Sequence, residues 1–294
     1  MKKNIISIII ILIIFLFLFL NTNLLSYSVN ESILNFKNNL LPTLFPVFIL
    51  SDLLINYNFE QVFSFINKPL KKLFKINDKL AFIYIISILT GYSNTFNIIL
   101  NMYNNKSITT KEINRILKFC NFVNPLYLIT IVSLVIDIKW AIIILIVNII
   151  SNSIIGILSR NINLSDNYYS KIKKENFFIC FSNSIKKSIN SLLIILGINI
   201  ITTMLINTFL NNNSLITIFI KGLIDFTTGI PLCKNIPITL KIFYITIFIS
   251  FGSINSLLQC MSIIPDINYK NYLLSRLLQI IISLFILIFV MLIY

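Results

Sequence analysis

Two apolar stretches of this chain are broken in the middle, and those breaks restrict the fold more than any other feature. In residues 80–106, LAFIYIISILTGYSNTFNIILNMYNNK, the apolar arms 80–89 and 96–102 flank a Thr-Gly-Tyr-Ser-Asn interruption. The loop before it carries Lys68, Lys71, Lys72, Lys75 and Lys79, and the loop after it Lys106, Lys111, Arg115 and Lys118. Basic loops stay on the cytoplasmic face of a membrane, so both ends of the segment are expected on one side. About 23 residues are too few to cross a core of about 30 Å twice. Two half-length helices meeting at Gly91 can instead enter and leave on the same face, with the break buried in protein or facing water. The expectation is a re-entrant hairpin. A second broken stretch, 215–230, is expected to enter from the other face.

A membrane is implied by composition. Hydrophobic residues make up 57% of the 294 positions and charged residues 12%, and mean hydropathy is +0.90; a soluble domain carries about 25% charge. The net charge of +14 lies in short loops between apolar runs, which reads as membrane orientation and not as a nucleic-acid footprint. No histidine is present, and Cys120, Cys180, Cys233 and Cys260 have no metal-ligand spacing. Zinc sites, His-based acid–base catalysis and a Cys–His nucleophile are thereby excluded. No enzyme, cofactor or metal site is expected.

The apolar runs fall at 5–20, 41–57, 80–102, 119–136, 140–158, 191–210, 215–230, 238–264 and 277–294. The first, behind Lys2 and Lys3, reads as an uncleaved anchor with its N-terminus inside, since no small-x-small cleavage site follows. The expected fold is an all-α polytopic membrane protein with seven transmembrane helices and two re-entrant hairpins. That topology puts nineteen basic residues inside and five outside. It divides the chain into an anchor and external linker (1–40), a first repeat (41–158), a cytoplasmic polar linker (159–190) and a second repeat (191–294). Each repeat reads crossing, hairpin, crossing, crossing. With three full crossings apiece, the second is inverted relative to the first, a pattern of secondary transporters.

Polar groups within apolar runs are the candidate functional residues. Asp52 lies in FPVFILSDLLINY and Asp225 in the second hairpin, KGLIDFTTGI. In GYSNT, Gly91, Tyr92, Ser93 and Asn94 sit where the returning half-helix begins, an end that favours anions. In NFVNP, Asn121, Asn124 and Pro125 open the next crossing, and Pro125 is expected to free a carbonyl. The second half offers Thr227 and Thr228 beside Asp225, and Gly252, Asn255, Ser256 and Gln259 as a polar stripe within 238–264.

At these residues the chain resembles the YlbJ-type sporulation integral membrane proteins, which carry the nucleoside-recognition or "Gate" domain. The family's first hairpin reads G-Y-P-x-G-A, its next crossing N-T-S-N-P, its second hairpin G-L-x-E-x-T-x-G, and its later crossing F-G-G-x-S followed by Gln. The matching positions are Gly91-Tyr92; Asn121 with Asn124-Pro125; Gly222-Leu223 with Asp225, Thr227 and Gly229; and Phe251-Gly252 with Gln259. Ser93 stands for Pro, Thr95 for Gly, Phe122 and Val123 for Thr-Ser, Asp225 for Glu and Ser253 for Gly, which marks a divergent member.

The resemblance implies a fold similar to concentrative nucleoside transporters and a role in endospore formation. The implied carrier moves dipicolinic acid from the mother cell across the outer forespore membrane. Half-helix N-termini would take the carboxylates of this planar anion, and Tyr92 or Phe122 its ring. Asp52 and Asp225 would handle a coupling proton or sodium ion, since two acids repel an anionic solute. The implied partners are a small anionic solute and the lipid bilayer, with no nucleic acid; a homo-oligomer is compatible. The competing expectations are a nucleoside or related small-solute permease, and a non-transporting scaffold needed for spore formation.

Overall fold

The computed structural model describes residues 21–57, 64–160, 176–210, 212–264 and 267–293. The anchor expected at 5–20 and the polar linker at 161–175 lie outside the described residues. Among the described residues the chain is helical throughout, without a strand.

Among the described residues thirteen helices follow breaks that individual residues impose. Helix α1 (Thr22–Asn56) is continuous, with a π-helical turn at Phe36–Leu40. Residues 22–40, expected as an external linker, are therefore the first half of this helix. Their polar side chains close onto neighbours: Ser32 packs on α8, and Glu31 accepts a hydrogen bond from Asn207 (2.9 Å). Helix α2 (Ser64–Phe74) leads to a pair, α3 (Asp78–Thr90) and α4 (Tyr92–Asn104). Asn77 caps α3 by accepting from the Leu80 amide (3.0 Å). A short α5 (Thr110–Ile116) starts with a Thr109/Glu112 capping box.

Helix α6 (Pro125–Ser133) begins where Asn124 accepts from the Tyr127 amide (3.0 Å) and Pro125 takes the first helical position. The stretch 119–136 was expected as one crossing. Its helix has nine residues, which rise about 14 Å, half a bilayer core. Residues 120–124 ahead of it are non-helical, because the residue before a proline is driven out of the helical region. Helix α7 (Ile138–Leu158) then runs uninterrupted.

In the second half, α8 (Phe177–Phe209) is capped by Asn176 and begins well before the expected Ser191, so residues 177–190 belong to a helix and not to the linker. Helices α9 (Leu215–Ile224) and α10 (Phe226–Leu232) meet at Asp225. Helices α11 (Ile238–Phe251) and α12 (Ser253–Ile263) meet at Gly252, and α13 (Tyr269–Ile293) follows. Among the described residues five helical stretches are long and apolar enough to cross a membrane: Thr22–Asn56, Ile138–Leu158, Phe177–Phe209, Ile238–Ile263 and Tyr269–Ile293.

Both segments expected as hairpins fold back on themselves: α3 packs along α4, and α9 along α10. The closest approach is at Gly222 and Gly229, where a Cβ on Gly229 would collide with the Gly222 backbone and one on Gly222 with the Phe248 ring. Small residues at that crossing let two backbones touch, the usual basis of tight helix contacts in lipid. By contrast, α11 and α12 scarcely touch and continue as one kinked rod, Ile238–Ile263. Each half thus presents a long helix, a helical hairpin, a broken helix and a second long helix. In the first half the broken helix is α5, the non-helical link and α6; in the second it is α11 and α12.

Two buried arginines tie these parts together. Arg115 donates to the Phe74 and Lys75 carbonyls, closing the C-terminus of α2. Arg276 on α13 donates to the Lys118 carbonyl, to Gln279 and to Asn152 on α7 (3.4 Å). It thereby anchors the chain just before the break at residues 120–124.

Replacing Gly229 with Ala should lower stability in detergent by about 1–3 kcal/mol, the usual result of forcing a methyl group into filled space. Leu223→Ala, beside the contact, serves as comparison. A thermal midpoint for Gly229→Ala unchanged from wild type would show that the α9–α10 contact is looser than described.

Candidate functional site

The broken backbones converge. A buried main-chain group without a partner is costly, and here the breaks supply partners for one another. At the tip of the first hairpin Gly91 has φ +83°, a conformation that glycine adopts at little cost and residues with a Cβ adopt only under strain. Its missing side chain also lets the tip press on the next break, since a Cβ there would overlap the Asn124 backbone. The Tyr92 amide donates to the Phe122 carbonyl (2.6 Å), and Asn124 Nδ2 donates to the Thr90 carbonyl (3.3 Å). Pro125, expected to free a carbonyl, sits at the helix start and frees none. The carbonyls inside the non-helical link are answered from outside it: Phe122 by the Tyr92 amide and Asn121 by Asn152 Nδ2 (3.5 Å).

The second hairpin is organised by Asp225, which is 1% exposed. Its carboxylate accepts from the Thr227 amide (3.0 Å), Thr227 Oγ1 (2.7 Å) and Thr228 Oγ1 (3.1 Å), capping α10. Among the described residues no basic side chain pairs with the carboxylate. The break at Gly252 (φ +80°) packs against the Asn121 side chain, so the interruptions of the two halves touch.

Amide and hydroxyl side chains then join the halves. Ser93 Oγ donates to Gln259 Oε1 (2.8 Å), Gln259 Nε2 to Asn255 Oδ1 (3.1 Å), and Asn255 Nδ2 to Asn199 Oδ1 on α8 (2.5 Å). Asn94 Nδ2 donates to Ser51 Oγ (2.5 Å). The space between the tips is about 30 Å³, bounded by Gly91, Tyr92, Asn124, Tyr127, Phe226 and Gln259. One water has about that volume in the liquid, so the centre is closed around any ring-sized solute.

A much larger cavity, about 570 Å³, lies beside it between α1, α8, α9 and α10. Its walls include Glu31, Asn35, Asn207, Lys221, Thr228 and Pro231. Asn199 and Thr227 line both spaces and form the partition between them. Asn35 Nδ2 reaches across to Thr227 Oγ1 (3.3 Å). A third cleft of about 150 Å³ lies nearer the N-terminal end of α8, with Asp52, Asn94, Asn97, Lys187 and Ser191 on its walls.

The expected site residues therefore separate into groups. Gly91, Tyr92, Ser93, Asn124, Thr227, Asn255 and Gln259 surround the closed centre, Thr228 faces the large cavity, and Asn94 faces the third cleft. Pro125 and Gly252 shape backbone without lining a cavity. Asn121 is buried, and both polar atoms of its side chain are unpartnered. The two acids do not meet. Asn35, which touches Thr227, lies seventeen positions before Asp52 on α1, a rise of about 25 Å. Asp52 instead accepts from Ser184 (2.6 Å) and pairs with Lys187 (3.2 Å). Phe122 stacks edge-on against Tyr84 (5.5 Å), away from the centre, while Tyr92 remains at it.

Asn199, Asn35, Lys221 and the Tyr127/Phe226 ring pair (6.1 Å apart) are site features that the sequence analysis did not single out. Asn199 was visible as an amide within the apolar run 191–210. Asn35 was hidden by its assignment to a linker.

If the halves are joined through Ser93 and Gln259, a double-mutant cycle of Ser93→Ala and Gln259→Leu should show a coupling of about 0.5–3 kcal/mol in detergent unfolding. Strictly additive losses would mean that the bond does not join them. Comparison of the chain with protein families, with curated proteins and with solved structures finds no match.

Proposed function

We propose that the chain is a secondary carrier for a small polar solute, with two re-entrant hairpins of opposite orientation whose tips meet near the bilayer midplane. One observation carries this: the tips of two helical hairpins, each paired to a broken helix, enclose a polar centre that borders a cavity large enough for a ring-sized solute. Solute passes between the cleft near Asp52 and the 570 Å³ cavity by way of the centre, as the partition at Asn199 and Thr227 opens and one half rocks against the other. Asp225, at the tip and beside the partition, is the coupling site for a proton or sodium ion; Asp52, paired with Lys187, latches the far cleft. A non-transporting scaffold has no use for a closed polar centre between two hairpins.

The resemblance to sporulation membrane proteins favours dipicolinate as the solute, moving from mother cell to forespore across the outer forespore membrane. A nucleoside permease is the competing assignment, and the cavity admits either solute by size. The basic loops place the N-terminus, residues 68–79 and residues 106–118 on the cytoplasmic face.

Both hairpin flanks should lie on one face. Cysteines introduced at the exposed Lys72 and Lys111 should react with an impermeant thiol reagent from the cytoplasmic side only, and labelling from opposite faces would remove the first re-entrant hairpin. In proteoliposomes, Asp225→Asn should cut dipicolinate uptake at least tenfold and abolish its dependence on a proton or sodium gradient. Uptake and gradient dependence equal to wild type would end the coupling role of Asp225.

A further inference from the structure

We infer that Lys221 makes the large cavity an anion-recognition site, where a small organic acid is held beside the closed centre. The inference rests on the carrier reading for its solute but names a site and a selecting residue that reading does not require.

Lys221 lies on α9, one helical turn before Asp225, in a segment where a charged side chain is costly unless it has a use. It is 6% exposed and lines the cavity. Its amine donates to Asn213 Oδ1 (2.8 Å), a neutral acceptor. An ammonium has three donors, and among the described residues the ion pairs within 4.0 Å are Lys71 with Asp78 and Lys187 with Asp52, neither involving Lys221. The other buried lysine of this half differs: Lys241 is closed by the Val135 and Lys234 carbonyls (3.3 and 2.9 Å) and borders no cavity described above. Lys241 caps chain ends, whereas Lys221 presents a charge to 570 Å³ of space.

Two other groups define what fits. Asn199 is 3% exposed and lines the same cavity, and its buried Nδ2 has no partner, so opening of the partition uncovers a second donor for an acceptor on the solute. Glu31 also lines the cavity, held by Asn207 and unpaired with Lys221. A solute with one carboxylate at Lys221 meets at Glu31 a wall that accepts hydrogen bonds and repels a second full charge. The class selected is a compact, ring-sized organic acid with a carboxylate at one end and a hydrogen-bond donor, such as a protonated carboxyl or a ring N–H, at the other.

The test is equilibrium binding to the full chain in detergent, with orotate, a ring bearing one carboxylate and N–H donors, as the acid probe and uridine, which has the same ring without the carboxylate, as the neutral probe. Lys221→Gln should weaken orotate binding at least tenfold and leave uridine binding unchanged, Lys221→Arg should retain most of the acid affinity, and Glu31→Gln should raise it severalfold. Thermal midpoints of the variants confirm folding. Equal acid affinity in Lys221→Gln, a parallel loss of uridine binding, or no acid binding to the wild-type chain would overturn the inference. Binding needs no flux, so an acid that binds through Lys221 but is not carried into proteoliposomes contradicts the carrier and leaves this site standing.

Discussion

A helix interrupted away from water leaves amides and carbonyls that hydrocarbon cannot satisfy, and the rest of this structure depends on how those groups are answered. They are answered by each other. The tip at Gly91 hands the Tyr92 amide to the Phe122 carbonyl of the next break and receives the Asn124 side chain at the Thr90 carbonyl. The tip at Asp225 uses its own carboxylate for the same purpose. The tip at Gly91 and the link before α6 close on each other, so neither can be straightened without exposing its partner, and the break at Gly252 packs on that same link at Asn121.

Close approach is the second condition, and it is met by missing side chains. Gly91 lets a hairpin tip lie on the Asn124 backbone, Gly222 and Gly229 let two helices touch, and Gly252 admits the Asn121 side chain. In lipid, packing of this kind replaces the hydrophobic drive that assembles soluble helices. The side-chain bonds from Ser93 through Gln259 and Asn255 to Asn199 then join the halves by neutral amides and a hydroxyl. Such a joint can break and re-form at lower cost than a buried ion pair, which suits an interface that must move.

Charge is placed elsewhere. The fully buried Arg115 and Arg276 hold carbonyls at chain ends, where a guanidinium with several donors in a fixed fork is well matched. Asp52 and Lys187 bridge α1 and α8 at one cleft, and Glu31 and Lys221 line the opposite cavity without pairing. The closed centre carries one acid, Asp225, at its edge. The molecule therefore has a neutral middle between two charged vestibules, an arrangement in which a polar solute is sorted by charge before it meets the amides.

The apolar pattern by itself determined that the chain is an all-α membrane protein, because runs of about 20 apolar residues have one stable form in lipid. It also located the breaks at Gly91 and within 215–230, whereas the interruptions before Pro125 and at Gly252 lie in runs that read as single crossings. Helix bounds resisted. The polar residues 22–40 and 177–190 read as linkers, yet they are helical because Ser32, Asn35 and Ser184 find partners on other helices. Only the tertiary structure decided which breaks face each other, that Asp52 stands far from Asp225, and that Asn199 and Lys221 border the large cavity. Those relations join residues on separate helices, from Tyr92 with Phe122 to Asn121 with Gly252, and no local pattern encodes a distance set by the packing of separate helices.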